Sequence, residues 1–359
     1  MDLISALPDD IARDCLIRLS YEQFAAASSV SKSWKTEIQT PEFLRRRKAT
    51  GHTQRLVVMA QARVDSEKLG STSTIVKGSM NPVYRLTVFE PETNRWAEMP
   101  PIPGLSAGLP MFCQLAGVGY DLVVMGGWDP DSWKASNSVF VYNFLSAEWR
   151  RGADMPGGPR TFFACASDSR RFVYVAGGHS EEKNALRTSF AYDVAADAWV
   201  PLADMARERD ECKAVFHGGK FRVIGGYCTE MQGRFETSAE AFDVATWKWG
   251  PVEEGFLDSA ACPRTCVDGG DERVYMCGSG GEVTALRDAT WQPMAKLGEE
   301  MRNVAFVGTW EGKMLLIGSC GYGEPHVGVV LDLKGGSWRK LESPGSYTGH
   351  VQSGCVLEI

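Results

Sequence analysis

Across residues 161–205 the chain passes through four short apolar or alternating segments, TFFACAS, RFVYVAGG, TSFAYDV and AWVPLADM. Turn chemistry closes each one: Asp168-Ser169 first, then Gly177-Gly178 with its polar loop, then Asp197. Period-two alternation rich in Phe, Tyr and Val, broken at short intervals, predicts short antiparallel strands. A two-stranded hairpin is marginal in water, and a single four-stranded sheet leaves both faces bare, so this unit has to stack on copies of itself.

The copies are present. LVVMGG ends at Gly126-Gly127 and leads through VFVYNFLSAEW to Trp149, and VYVAGG ends at Gly177-Gly178 and leads through FAYDVAADAW to Trp199. FRVIGG ends at Gly225-Gly226 and leads through EAFDVATWKW to Trp249. Two looser copies carry Gly278-Ser279 with Trp291 and Gly318-Ser319 with Trp338, and an upstream copy without the glycines ends at Trp96. Each residue type has a task. The glycine pair ends the second strand with φ > 0 where neighbours leave no room for a Cβ. The aromatic-acid step, as in Tyr192-Asp193 and Phe242-Asp243, closes a tight turn, and the tryptophan wedges between units. In register and repeated, this pattern resembles the kelch repeat, from about residue 54 to the C-terminus. The expected fold is therefore mainly β, a six-bladed propeller over residues 54–359. The first unit is one strand short, and the last segment, HVQSGCVLEI, is expected to return and complete it with a strand over residues 350–359.

Residues 1–50 follow a helical period instead: Ile11, Leu16 and Leu19, then Phe24, Ala27 and Val30, then Trp34 and Ile38. Pro8 before Asp9-Asp10 suits a helix start, and Ser20 and Pro41 mark breaks, so three or more short helices are expected. So few apolar positions make a marginal domain, which is either a cap on the propeller or a module that completes its core against a partner. Leu7-Pro8 with its acidic pair, the helix through Leu16 and Leu19, the string VSKSW at residues 30–34 and the ending Pro41-Glu42-Phe43 resemble the F-box. That resemblance implies binding to the Skp adaptor of cullin-based ubiquitin ligases. It makes Leu7, Pro8, Ile11, Leu16, Leu19, Val30 and Trp34 the adaptor-facing or supporting apolar surface. Cys15 departs from the larger aliphatic usual there, and residues 25–27 are lighter than average. The basic run RRRK at residues 45–48 reads as a helix end complementing the macrodipole, with a nuclear import signal as the alternative. Residues 66–79, polar and rich in Ser and Thr, read as a loop within the first blade.

Composition narrows the function. A formal net charge of −7 gives no basic excess for nucleic-acid binding. No apolar run is long enough to span a bilayer, and the N-terminus lacks the charge and apolar pattern of a secretory signal. A cytoplasmic or nuclear location, or both, is expected. The ten cysteines include Cys165, Cys277 and Cys355 on strand segments, where they serve as small apolar residues. Cys262 and Cys266 lack the second pair that a metal site needs. No cofactor or metal is expected.

The connections between blades carry a second regularity. Arg160, Arg209, Arg264 and Arg302 precede first strands, and His350 holds the matching place before the terminal one. Two readings are open: a ring of cations around the channel, suited to an acidic partner, or arginines that hydrogen-bond carbonyls of their own blade. Long, varied loops after the double glycines hold Trp128, Trp133 and Tyr227, aromatics of the kind that anchor interfaces, although Trp133 can also fold back onto its blade.

Together the opening MDLISALPDDIARDCLIRL and the repeats are similar to plant F-box/kelch-repeat proteins, the substrate receptors of SCF-type ubiquitin ligases. One subgroup recruits phenylalanine ammonia-lyase for ubiquitination and so restrains phenylpropanoid synthesis, and others act on hormone-response regulators. The implied partners are a Skp-type adaptor, cullin through it, and a target protein. The implied chemistry is non-catalytic. Kelch propellers also include metal-dependent specifier enzymes with Glu, Asp and His four residues apart. Here Glu254, Asp258 and Cys262 occupy that spacing with Cys in place of His, which spoils the ligand set. A kelch scaffold without ligase function is the other alternative.

Overall fold

Six four-stranded antiparallel sheets are arranged around a central channel in a computed structural model that describes residues 3–4, 7–64 and 82–359. The loop expected over residues 66–79 lies outside the described residues. From the channel outward, the first blade runs β24 (Val351–Glu358), β1 (Arg55–Ala62), β2 (Tyr84–Glu90) and β3 (Arg95–Glu98). Its innermost strand thus comes from the far end of the chain, with Leu56 opposite Leu357 and Val58 opposite Cys355. The second blade is β4 (Gln114–Val118), β5 (Asp121–Met125), β6 (Val139–Asn143) and β7 (Glu148–Gly152). The third is β8 (Ala164–Ser167), β9 (Phe172–Ala176), β10 (Ser189–Asp193) and β11 (Ala198–Pro201). The fourth is β12 (Lys213–His217), β13 (Lys220–Ile224), β14 (Ala239–Asp243) and β15 (Lys248–Trp249). The fifth is β16 (Val267–Asp268), β17 (Val274–Cys277), β18 (Glu282–Arg287) and β19 (Thr290–Lys296). The sixth is β20 (Asn303–Trp310), β21 (Lys313–Ser319), β22 (Val327–Asp332) and β23 (Trp338–Lys340). The inner strands touch in the closed order β24, β4, β8, β12, β16, β20 and back to β24, which makes the ring a six-bladed propeller.

The repeat residues act as their chemistry requires. A Cβ on Gly126 would stand 2.6 Å from the Phe163 ring of the next blade, and one on Gly127 would stand 2.6 Å from the Met111 carbonyl oxygen. In the second, third, fourth and sixth blades the turn between third and fourth strands is held by an Asn or Asp side chain that accepts from following backbone N–H groups, as Asn143 does from Leu145 and Ser146 at 3.0 Å. The tryptophans do more than wedge. Trp149, Trp199, Trp249 and Trp291 each donate their indole N–H to a carbonyl ahead of their own blade, at Pro100, Ala153, Ala203 and Phe256. Each therefore staples its blade to the one before.

Four helices precede the propeller: α1 (Asp9–Ile17), α2 (Phe24–Val30), α3 (Lys32–Ile38) and α4 (Pro41–Ala49). Pro8 and two acids open α1, while the Ser31 and Thr40 hydroxyls cap α3 and α4 by accepting from Trp34 N–H and Phe43 N–H. The helices have no separate core. Leu16, Phe24, Ile38 and Phe43 are buried in one apolar cluster with Leu56, Leu122, Phe144, Leu357 and Ile359 of the first two blades. The basic run over residues 45–48 turns out to be two-sided. Arg45 and Arg46 pair with Glu42 on the surface, but Arg47 is fully buried. It donates to the Ile17 and Leu19 carbonyls at 2.5 and 2.7 Å and to Ile359 O at 3.3 Å, with its guanidinium over the Phe24 ring. Burial lowers its pKa to about 10. A helix-dipole reading of that run misses this residue, because nothing in a run of four cations marks which one turns inward.

Candidate functional site

Strand order divides the propeller into two faces. The turns between first and second strands and between third and fourth strands lie on one, the turn face. The loops between second and third strands and the connections between blades lie on the other, the loop face. The helices sit on the turn face: Tyr21 packs edge-on to Phe144, Glu22 pairs with Arg95 at 2.8 Å, and Gln54 exchanges backbone hydrogen bonds with Ile359. The channel opening on the loop face therefore points away from them.

The five cations of the expected ring do not behave alike. Arg160 and Arg209 are fully buried and turned into their own blades, which removes them from the rim. Arg160 donates to the Gly177 carbonyl and to the Thr188 carbonyl and hydroxyl, and Arg209 does the same with Gly225 and Ser238. Arg209 also pairs with the buried Glu240 at 3.1 Å. Each arginine thus clamps the glycine pair to the start of the third strand. The fifth and sixth blades carry Gly-Ser in place of that pair, and Arg264 and Arg302 stay exposed. Neither has an ion pair among the described residues. His350 is open to the channel mouth and shares a 2.9 Å hydrogen bond with the Tyr84 hydroxyl. Partial desolvation, and then the nearby Arg264 charge, hold its pKa below the ordinary histidine value. Lys213 of β12, which sequence reasoning did not single out, lines the channel beside them.

The loop aromatics also differ from expectation. Trp133 is 52 % exposed and Trp128 half-buried, but Tyr227 is buried, its hydroxyl donating to Glu211 at 2.9 Å. Tyr227 is thus a support beneath the surface and not an exposed anchor. Beside Trp128 stand Phe112 and Phe162, which sequence reasoning missed, with ring centroids 4.5 Å apart. They occupy corresponding places just before β4 and β8, both with positive φ, so the two rings are thrust toward the mouth. Trp128 crosses both at 6.0 Å and Trp133 lies 6.3 Å from Trp128. Beneath this platform His179 is fixed between Thr161 Oγ1 at 2.8 Å and Asp210 Oδ2 at 2.9 Å. The order hydroxyl, imidazole, carboxylate resembles a hydrolase array, but Thr161 is fully buried and out of reach of a substrate. The trio orients the ring under the platform. Glu254, of the specifier-like spacing, pairs with Arg207, while Asp258 and Cys262 face a neighbouring cavity.

On the helices, Leu16 is buried and Leu19 and Trp34 half-buried, so these three support the fold of the module. Trp34 donates its indole N–H to the Leu3 carbonyl at 2.6 Å and holds the N-terminal segment down. Leu7, Ile11 and Val30 are 37 %, 45 % and 64 % exposed, and Pro8 is exposed beside them. These aliphatics lie uncovered on a helical unit that has already buried its other face.

An F-box domain model matches residues 4–46, and a Kelch motif model matches residues 112–156. The F-box/kelch-repeat protein At1g80440 of Arabidopsis thaliana is 50 % identical over 366 residues, covering 100 % of both chains. The chain belongs to the F-box/kelch-repeat family. A second Arabidopsis thaliana relative, F-box/kelch-repeat protein At1g15670, is also 50 % identical, over 365 residues and 100 % of each chain. F-box/kelch-repeat protein At2g44130 of the same plant is 34 % identical over 77 % of this chain and 72 % of its own. For an F-box/kelch-repeat protein the two surfaces acquire distinct meanings: the exposed aliphatics belong to the F-box and the aromatic and cationic mouth to the kelch propeller. None of the described helices is long and apolar enough to cross a membrane.

Proposed function

We propose that this chain is the substrate-recognition subunit of an SCF-type E3 ubiquitin ligase, acting in the cytoplasm, the nucleus or both. The F-box, residues 1–50, docks Leu7, Pro8, Ile11 and Val30 on a Skp-type adaptor and through it on cullin, with Leu16, Leu19 and Trp34 as internal support. The propeller, residues 54–359, holds the target at its loop face through Arg264, Arg302, His350, Trp128 and Trp133. The observation that carries this reading is the placement of uncovered aliphatics and a cationic, aromatic mouth on opposite sides of one body. The chemistry belongs to other subunits. Holding a target's lysines near a charged conjugating enzyme raises their effective concentration, and no acid, base or nucleophile of this chain takes part. The target fate is proteasomal degradation. The family resemblance offers phenylalanine ammonia-lyase, and hence restraint of phenylpropanoid synthesis, or a hormone-response regulator.

The test is affinity capture from plant extract with the proteasome blocked, using the intact chain and Ile11→Asp/Val30→Asp. These positions are exposed, unlike Leu16, so the change leaves the core intact. Recovery of adaptor and cullin by the intact chain alone, with other prey kept by both forms, is the expected result, and the shared prey names the target. Failure of the intact chain to recover adaptor would leave a scaffold without ligase function.

A further inference from the structure

At the loop face the channel holds a cavity of about 250 Å³ whose walls have two characters. Phe112, Phe162 and Phe163 form an apolar side. Lys213, Arg264 and His350 stand elsewhere in its wall, together with Ser353, whose hydroxyl is buried without a hydrogen-bond partner among the described residues. Neither Lys213 nor Arg264 has an ion pair or a side-chain hydrogen bond among the described residues. Glu211 is the carboxylate in the cavity wall, and it is engaged by the Tyr227 hydroxyl at 2.9 Å. Arg264 also stands in the wall of an adjoining cavity of about 390 Å³, where Arg302 adds another cation with no ion pair among the described residues.

Burial penalises the Lys213 charge and lowers its pKa, a cost that a bound anion offsets, while the exposed Arg264 adds a second cation at the rim with no ion-pair partner among the described residues. Cations gathered at one opening focus a positive potential there. The aromatic wall adds a second requirement. Two rings 4.5 Å apart and tilted 37° to each other offer an aromatic surface and no hydrogen-bonding group, so they select a planar apolar group over a hydrated one.

We propose that the loop-face mouth is a binding pocket for a carboxylate carried on a planar apolar group, Lys213 and Arg264 taking the anion and Phe112 and Phe162 the apolar part. It deepens the receptor reading and rests on it for its biological use, since it names what the target-facing mouth grips. The same chemistry has two sources, a free aromatic acid or a peptide ending in an aromatic residue with its terminal carboxylate.

The experiment is isothermal titration of the purified full chain, without adaptor, with 2-naphthoate, its neutral amide, and the tripeptide Ala-Ala-Phe as free acid and as C-terminal amide. Binding of at least one acid is expected, with each amide and each of the variants Lys213→Met and Arg264→Gln weaker by about tenfold or more. Arg339→Gln, on the exposed outer edge of β23, serves as a control that leaves binding unchanged. Whichever acid binds more tightly identifies the source. If neither acid binds, if the amides bind as well as the acids, or if Arg264→Gln binds like the parent, the pocket assignment is overturned. Arg264 is exposed, so its variant keeps the test valid should Lys213→Met fail to fold. Loss here leaves adaptor capture untouched, and loss of adaptor capture leaves this result untouched.

Discussion

Arg47, Arg160 and Arg209 carry no exposed surface, yet Arg160 and Arg209 share a local signal that Arg47 lacks. Arg160 and Arg209 could have been assigned from sequence: each is followed by a double glycine and then by Thr188 or Ser238, the residues it clamps. Arg264 and Arg302 lack that set, so they remain at the surface, available to a partner. Arg47 carries no such marker, and its role follows only from the way α4 lies between α1 and the chain's last residue. Removing it strands the Ile17 and Leu19 carbonyls without their donor. Arg47→Met is expected to cost about 2–5 kcal/mol in urea unfolding, and a loss below about 1 kcal/mol would contradict its role. His326 gives a pH dependence. Burial, and then the neighbouring His350, lower its pKa to about 4. The unfolded chain binds this proton near the ordinary histidine value and the folded one does not, so stability is full above that value and falls as pH drops toward the folded pKa. Urea midpoints should decline between neutral and mildly acid pH, and His326→Gln should reduce that decline.

At the scale of elements, strands, glycine pairs and turn acids were legible because each follows from backbone geometry that local residues control. The tryptophan staples were legible only in part. A wedge follows from size and spacing, whereas the hydrogen bond from Trp199 to Ala153 depends on how one blade leans on the last. The same limit applies to the mouth. Phe112 and Phe162 look like ordinary strand aromatics, and only their positive φ turns them to the platform. The His179, Thr161 and Asp210 trio draws on two blades and three segments, so no single stretch shows it. Trp199→Phe and Trp249→Phe keep the wedge and remove the hydrogen bond. Each is expected to cost about 1–2 kcal/mol, and because they join different blade pairs the double variant should approach the sum. A double variant no less stable than either single one would show that the staple is not energetically independent.

At the scale of the molecule, the helices and the propeller share one core and several polar tethers, Glu22 to Arg95 among them. Arg47 reaches Ile359, and Lys48 pairs with Glu358 at 2.7 Å on the strand that completes the first blade. The F-box is therefore carried on the turn face at a fixed angle, with the mouth on the far side. For the proposed receptor role this geometry is the mechanism, since it sets where a held target lies relative to the rest of a ligase. The sequence conveyed both modules but not this coupling, because the contacts join residues near positions 20–50 to residues near 357–359 and 120–144. The most direct test is titration of a purified Skp-type adaptor, bound to the cullin N-terminal domain, into the intact chain and into Ile11→Asp/Val30→Asp. The account predicts a stable complex with the intact chain and a loss of about 100-fold or more in affinity for the variant, at unchanged unfolding temperature. Equal affinity for both forms, or no complex with the intact chain, would contradict it.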